Sequence, residues 1–329
     1  MKRMRWLLIF VPVLIALLGI SQGGWATFAG VVYVFGLHPV LDAILGNSPM
    51  QASEGTFLED LFLVFCLPAQ LALLGYAFLR LDSMAMQSSL SFWGTVLSVG
   101  SVGGAVGITA SHELIHRKQG WMRAIGVALL SLVLYAHFRI EHVFGHHRNV
   151  STPNDPASSR KGESVYAFWL RSLIGTVRSA WTLEKGRGWQ NRIGHYVLIQ
   201  ALILGLVSYC FGPDALSFFV AQACVAVLLL ETTNYIEHYG LQRKPLGEGR
   251  FEPVSEIHSW DSARIMTNWT LFNLGMHAHH HRSASVPYPQ LEPSGAAAHE
   301  LPAGYSAMLL LALVPPLWRK VMDPRVPNN

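Results

Sequence analysis

Nine of the fifteen histidines in this chain fall into four short groups between positions 112 and 281. On a helix, residues three or four apart lie on one face, so the histidines of a group can point at one place. Imidazoles gathered on facing helices are a common way for a helical protein to hold metal. Nine imidazoles are too many for one ion and about right for two. The candidate ligands are His112, His116, His142, His146, His147, His238, His277, His280 and His281.

Four acidic residues stand beside or close to these histidines and are candidates for supporting them. Metal-bound histidines commonly donate their second ring N–H to a carboxylate, and Glu113, Glu141 and Glu237 each adjoin a candidate ligand. Asp155 follows the second group closely. The alternative for each acid is an ion pair with a nearby arginine. Glu231 lies within a long apolar run, where a carboxylate is expensive unless it is paired and therefore suggests a function.

The pattern His112-Glu113-x-x-His116 is also that of zinc metalloproteases, in which the glutamate is the general base. A catalytic zinc needs three protein ligands and an open position, so this interpretation leaves most of the histidines without a role. A membrane zinc metalloprotease and a non-catalytic metal carrier remain alternatives. Nine clustered imidazoles without cysteine ligands suit oxygen-handling iron better. We expect His38, His137, His195 and His299 to be structural or surface residues, and His258 to be a candidate support for a ligand.

The composition indicates a membrane protein. Of the 329 residues, 51% are hydrophobic and only 13% are charged, whereas soluble domains carry about 25% charged residues. The cysteines, Cys66, Cys210 and Cys224, lie in apolar runs and form no C-x-x-C pair. This spacing argues against a disulfide framework, a zinc finger, an iron–sulfur cluster and a fused rubredoxin.

The apolar runs predict an all-α integral membrane protein with six transmembrane helices and a cytoplasmic, histidine-rich di-iron cap. We treat residues 1–329 as one domain whose cytoplasmic catalytic part comprises 111–193 and 234–329. The apolar segment 121–138 should not cross the bilayer, because the histidines on either side of it must share a site. Residues 308–318 are too short to span and should lie at the interface. The predicted spans are about 6–22, 25–45, 57–79, 90–110, 194–211 and 215–233.

The basic residues predict which side the site faces. Of 24 lysines and arginines, three precede the first span and twenty follow His112, and only Arg80 falls in an outer loop. Basic residues accumulate on the cytoplasmic side. We therefore expect a multi-pass protein of the bacterial inner (plasma) membrane with its active site facing the cytoplasm.

The histidine motifs H-x-x-x-H, H-x-x-x-H-H and H-x-x-H-H resemble those of the membrane fatty acid desaturase and hydroxylase superfamily. Within it, the chain is similar to the integral-membrane alkane 1-monooxygenases, also called alkane omega-hydroxylases. The resemblance is carried by HELIHR at 112–117, EHVFGHH at 141–147, TPNDPASSRKGES at 152–164 and NYIEHYG at 234–240. The last of these separates such hydroxylases from desaturases.

The resemblance implies that the nine histidines hold two iron ions (Fe2+/Fe3+). It also implies that one oxygen atom of O2 is inserted into the terminal methyl of a medium- or long-chain n-alkane, giving a 1-alkanol. Electrons would come from rubredoxin, recharged by a rubredoxin reductase. An unactivated C–H bond offers nothing to acid–base chemistry, which agrees with a metal cofactor. The expected partners are rubredoxin, an apolar small molecule and the lipid bilayer, with no nucleic acid.

One segment departs from the family pattern. Where the family usually has L-Q-R-H-S-D-H-H, this chain has LGMHAHHH at 274–281, so Met276 and His279 replace an arginine and an aspartate. The positions of the expected ligands persist. The departure therefore concerns the surroundings of the ligands and the choice of substrate. Hydroxylation of aromatic methyl groups or of fatty acyl chains is an alternative.

His279 should not be a ligand. Successive helical residues turn by about 100°, which places His280 near ~300° and His281 near ~40° from His277, but His279 near ~200°. We therefore expect His280→Ala to lose iron and activity, whereas His279→Ala should keep its iron and most of its activity. Iron content measured on the two purified variants side by side tests this. Equal loss of iron from both would mean that the assumed helical geometry is wrong.

Overall fold

The computed structural model describes residues 4–47, 52–53, 55–81, 88–295 and 298–327, and this part of the chain is mostly helical. Two small sheets join the helices: β1 (Pro245–Gly247) pairs antiparallel with β2 (Arg250–Phe251), and β3 (Trp260–Asp261) pairs parallel with β4 (His299–Glu300). The helices are α1 (Met4–Gln22), α2 (Gly24–Leu45), α3 (Phe57–Leu81), α4 (Ser89–Ile115), α5 (Gly120–Ser131), α6 (138–149), α7 (Val165–Leu183), α8 (Arg192–His238), α9 (Ile265–Thr270), α10 (His277–Arg282), α11 (Tyr305–Ala312) and α12 (Pro315–Met322).

Five of these helices, α1, α2, α3, α4 and α8, are long and apolar enough to cross a membrane. Together with the composition, they make this a membrane protein. The most deeply buried of the five is α4, which packs against both α2 and α8. Its glycines permit this close approach. A Cβ on Gly100 would lie 2.7 Å from the backbone oxygen of Gln222 in α8, so Gly100 serves close helix contact.

The longest helix, α8, is two arms joined by a break. Its 47 residues would extend about 70 Å if straight, more than twice the thickness of the hydrocarbon core. At Gly212 the backbone is non-helical, with φ 83°, and Pro213 follows. Gln200 and Gln222, one on each arm, contact residues only four positions apart in the chain, 136 and 132. The arms, 192–211 and 213–238, therefore fold back beside each other and cover the segments predicted as the last two spans.

The segment predicted not to cross the bilayer forms a hairpin that returns to its starting point. The Ser111 hydroxyl in α4 donates to the Gly126 carbonyl in α5, so α5 packs along the end of α4. The chain then reverses direction at Leu134, whose φ is 56°, and α6 returns toward the histidines. The rings of His116 and His142 lie 5.2 Å apart. Both ends of the hairpin are therefore at one site.

The tip of this hairpin needs hydrogen-bond partners, since irregular backbone among membrane spans is tolerated only where protein satisfies its polar groups. The Gln222 amide donates to the Leu132 carbonyl at 3.0 Å. The Ala136 N–H donates to the Gln200 side-chain oxygen, also at 3.0 Å. Each arm of α8 thus supplies one glutamine to the hairpin.

The end of the chain is fastened to the region around the last helices. The Tyr239 hydroxyl donates to Asp323 at 2.6 Å, and the Trp260 indole N–H donates to the Tyr239 carbonyl. Tyr235, Tyr239 and Trp318 share a buried cluster with Trp260. The C-terminal segment therefore buttresses the stretch of α8 that leads to His238.

Replacing Gln200 by leucine should weaken the fold. The substitution leaves the Ala136 N–H without its acceptor, which costs about 1–3 kcal/mol for a buried donor. Gln242→Leu, an exposed substitution of the same chemistry, is the control and should change stability by less than about 0.5 kcal/mol. Unfolding in detergent micelles measures both. Equal stability of the two variants would show that Gln200 does not hold the hairpin.

Candidate metal centre

Five of the histidines form a first group. His112 comes from the last turn of α4 and His116 from just beyond it, His142 and His147 come from α6, and His280 comes from α10. Each offers a nitrogen within 4.8 Å of the others. The Nε2 atom of His147 lies 3.1 Å from that of His142 and 3.1 Å from that of His280. Three separate segments of the chain therefore aim imidazoles at one point.

Four more histidines form a second group, comprising His146, His238, His277 and His281, all of them buried. The Nε2 of His277 lies 3.2 Å from that of His238 and 3.0 Å from that of His281. The two groups are adjacent, because the rings of His147 and His281 are 4.5 Å apart. The structure thus brings together the nine histidines that the spacing singled out.

Two helices contribute to both groups. In α6, His142 and His147 belong to the first group and His146 belongs to the second. In α10, His280 belongs to the first group, and His277 and His281 belong to the second. The spacing of four residues predicts that His142 and His146 point the same way, and this prediction is wrong. Residues 141–146 form a wider, π-helical turn, which shifts the register of the side chains after it.

The remaining histidines lie outside both groups. The Nδ1 of His279 accepts from the Glu292 N–H at 3.0 Å, so its ring is directed away from the metal-binding nitrogens. His38 is buried and contacts the Thr270 hydroxyl at 2.7 Å. His258 contacts a candidate ligand through its backbone: its carbonyl lies 3.4 Å from the Nδ1 of His238.

The imidazoles are in the neutral form that binds a cation. Burial lowers the pKa of His116 to about 4 and holds the pKa values of His142 and His280 well below the ordinary value, with neighbouring imidazoles adding to the effect. Neutral rings keep the lone pair that a metal requires. The Nε2 atoms of His112, His116 and His146 are buried and have no hydrogen-bond partner in the described part of the chain.

The nitrogen separations fit ligands on a common ion. Two nitrogens about 2.1 Å from one ion and about 3.0–3.2 Å apart subtend an angle of about 90–100°. That angle is smaller than the tetrahedral angle of structural zinc, and five histidines exceed the four ligands of such a site. The arrangement suits an ion of higher coordination number, and imidazole ligands suit iron.

Asp155 and Glu237 contact the second group, from different sides. Asp155 approaches the outer nitrogen of His146, with 2.8 Å between Oδ2 and Nδ1, and also accepts from the Ser158 hydroxyl and the Ala157 N–H. This contact fixes the orientation of the His146 ring and leaves its Nε2 free. Glu237 is 3.2 Å from the Nε2 of His277, on the inner side of the group, and accepts from the Tyr305 hydroxyl at 2.8 Å.

Glu113 and Glu141 are placed differently. Glu113 forms an ion pair with Arg117 at 3.0 Å and accepts from the Tyr288 N–H. Its carboxylate is therefore occupied, which disfavours the general-base role that a metalloprotease requires. Glu141 is buried, and burial together with the nearby Asp155 and Glu231 raises its pKa well above the ordinary value. The Glu231 carboxylate accepts from the hydroxyls of Tyr135 and Ser172.

A narrow apolar cavity of about 60 Å³ reaches both histidine groups. His112 and His142 of the first group and His277 of the second line one end of it, together with Glu237. The rest of the wall comes from α2, α4, α8 and α11, and includes Val34, Phe35, Gly104, Ala105, Ile108, Leu229, Leu230 and Leu309. Gly104 lines the cavity and also lies against Leu229. The glycines of α4 therefore serve both helix contact and the cavity wall.

Two supporting residues carry no signal in the sequence. Tyr305, which holds Glu237, lies in an ordinary apolar helix. Asp261 accepts from the Ala278 N–H at 2.6 Å and so fixes the first turn of α10. Neither lies beside one of the nine grouped histidines in the sequence, and only the tertiary fold shows what each contacts.

Comparison with known proteins identifies the family. Residues 88–310 match the family model described as fatty acid desaturase. The chain is 41% identical over 320 residues to alkane 1-monooxygenase 1 of Pseudomonas aeruginosa, an alignment covering 92% of this chain and 83% of that protein.

Two further relatives are similar over most of their length. Identity is 40% over 329 residues to alkane 1-monooxygenase 2 of Alcanivorax borkumensis, covering 93% and 84% of the two chains. It is 28% over 329 residues to the xylene/toluene monooxygenase hydroxylase component of Pseudomonas putida, covering 97% and 87%. The chain therefore belongs to the alkane 1-monooxygenase family of membrane oxidoreductases, as its histidine motifs predicted.

Proposed function

We propose that this protein is a di-iron monooxygenase that converts medium- or long-chain n-alkanes to 1-alkanols with O2 and electrons from rubredoxin. The observation that carries the proposal is the meeting of two histidine groups with one apolar cavity. Bound iron would supply the activation of O2 that attack on an unactivated C–H bond needs. The similarity to alkane 1-monooxygenases over most of the chain supports the substrate class.

The residues of this chain would hold the ions and position the substrate. His112, His116, His142, His147 and His280 would hold one ion, and His146, His238, His277 and His281 the other. Asp155 orients His146, and the His258 carbonyl orients His238. The apolar wall of the cavity would align an alkane with one terminal methyl at the histidines and keep water away from it. Glu237, buried where the cavity meets the second group, is the carboxylate nearest to that methyl and the best placed to accept or hold a proton.

A cleft beside the site supports the proposal that an acidic electron donor, such as rubredoxin, binds there. Arg148, Arg243 and Arg250 line it, with Phe144 and Phe251. Arg148 directly follows His147, so the cleft lies next to the first histidine group. Basic side chains steer an acidic protein toward this face, and aromatic rings give it an apolar contact.

We further infer six membrane crossings, with the two arms of α8 as the fifth and sixth, and a cytoplasmic site in a bacterial inner membrane. The two arms are about 30 and about 39 Å long, enough for each to cross the hydrocarbon core. The predominance of basic residues after His112 supports the cytoplasmic orientation. In this arrangement residues 1–329 form one domain.

A second candidate substrate is an aromatic methyl group. The 28% identity to the xylene/toluene monooxygenase hydroxylase component extends over 97% of this chain. Toluene offered in place of octane in the same assay separates the two candidates, since an aromatic methyl hydroxylase would turn it over faster.

We expect close to two irons per chain and formation of 1-octanol from octane, O2 and a rubredoxin system. Two histidine groups, each large enough for an ion, are the reason for the iron content. Metal analysis and product identification on one preparation measure both quantities. Full peptidase activity with one zinc and no octanol would overturn the proposal and favour the metalloprotease.

Filling the cavity should block the reaction without disturbing the metal. Ala105→Phe places a ring in the apolar wall, and a substrate displaced by about 1 Å can react about 100-fold more slowly. We expect octane turnover to fall by at least about tenfold, with iron content unchanged. Ala201→Phe, exposed on α8 and outside the cavity, is the matched control and should retain turnover. Normal turnover in Ala105→Phe would mean that the substrate binds elsewhere.

A further inference from the structure

A groove separate from the substrate cavity lies on the opposite face of α5 from the histidines. α5 buries Met122, Gly126 and Leu129 against the rest of the protein, while its other face lines this groove, which has a volume of about 580 Å³. The walls of the groove are α3, α5 and the first arm of α8, and its lining is predominantly apolar: Leu67, Leu71, Ala124, Val127, Ala128, Leu132, Tyr196, Ile199 and Ile203. This groove belongs neither to the metal centre nor to the substrate cavity.

The groove opens to the side of the helical bundle. Leu71 is 49% exposed and Ile199 is 41% exposed, although both line its walls. Leu71 lies fourteen residues into α3, and Ile203 lies eleven residues into α8. At 1.5 Å per residue these positions are about 16–21 Å along the spans, a depth at which acyl chains surround the protein.

The other end of the groove carries two arginines. The guanidinium of Arg123 donates to the Arg117 and Lys118 carbonyls in the turn after His116, and that of Arg139 donates to the Tyr196 hydroxyl. Both side chains line the groove. Neither has a carboxylate within ion-pair distance among the described residues, as the ion pairs of that part of the chain show. Two positive charges without a carboxylate partner therefore mark the end nearest the metal centre.

We propose that this groove binds one anionic phospholipid of the surrounding leaflet, with its headgroup at Arg123 and Arg139 and its acyl chains along the apolar walls. The charge pattern favours this occupant, because an alkane would leave both guanidinium groups without a negatively charged partner. A phosphodiester accepts hydrogen bonds from guanidinium groups with good geometry. The lipid would cover the one face of α5 that the protein leaves open, and so steady the hairpin that leads into His142, His146 and His147.

The test is lipid binding to the intact, delipidated protein in mild detergent. Native mass spectrometry compares phosphatidylglycerol with phosphatidylcholine of the same acyl chains. One basic residue near an anionic headgroup contributes about a fivefold preference, so we expect phosphatidylglycerol to bind at least about fivefold more tightly. Arg139→Gln should reduce that preference by about fivefold, and Arg139→Lys should keep most of it. Arg187→Gln, which removes an exposed arginine outside the groove, is the control.

A second variant keeps the proposal testable if loss of an arginine disturbs folding. Ala128→Trp leaves both charges in place and fills the apolar part of the groove, so it should lower the binding of both phospholipids. Equal binding of the two phospholipids by the unaltered protein, or unchanged binding in Ala128→Trp, would overturn the proposal. Displacement of phosphatidylglycerol by an equal concentration of a free fatty acid would also overturn it, since a single-chain carboxylate would then be the occupant.

Discussion

The structure depends on bringing nine imidazoles within a few ångströms of one another, away from water and at the end of a bundle of apolar helices. Burial of so many rings is tolerable because they are neutral, and it depresses their pKa values further. The rings come from separate parts of the chain, so no single element could assemble the site. The hairpin of α5 and α6, the break at Gly212 and the fastened C-terminus each serve to bring one group of histidines to the others.

Much of this arrangement could be predicted from residue types and spacing. The histidine motifs predicted the family, and the shared site predicted that 121–138 returns rather than crosses. The spacing failed where the helix departs from 3.6 residues per turn. His142 and His146 are four apart, yet a π-helical turn places them in different groups. For the acids, the sequence left two alternatives open, and only the fold decides between them. Glu237 adjoins His238 in the sequence but contacts His277, whereas Glu113 forms an ion pair with Arg117.

The polar residues inside the spans show what a sequence alone leaves open. Gln200 and Gln222 look alike, and each interrupts an apolar run. The structure gives one of them a backbone donor and the other a backbone acceptor at the tip of the hairpin. Which backbone group needs a partner is decided by long-range contacts that no local pattern encodes. Tyr305 and Asp261 were missed for the same reason, since each acts on a residue far away in the chain.

The position of α10 near the C-terminus sets an order of assembly. Domains emerge from the ribosome from the N-terminus onward, so α1 to α8 are available for insertion before His277, His280 and His281 exist. Until α10 arrives, the first group lacks one ring and the second lacks two. The Tyr239–Asp323 hydrogen bond then fastens α8 to a segment that is made later still. A chain shortened before residue 277 would accordingly reach the membrane with neither group complete.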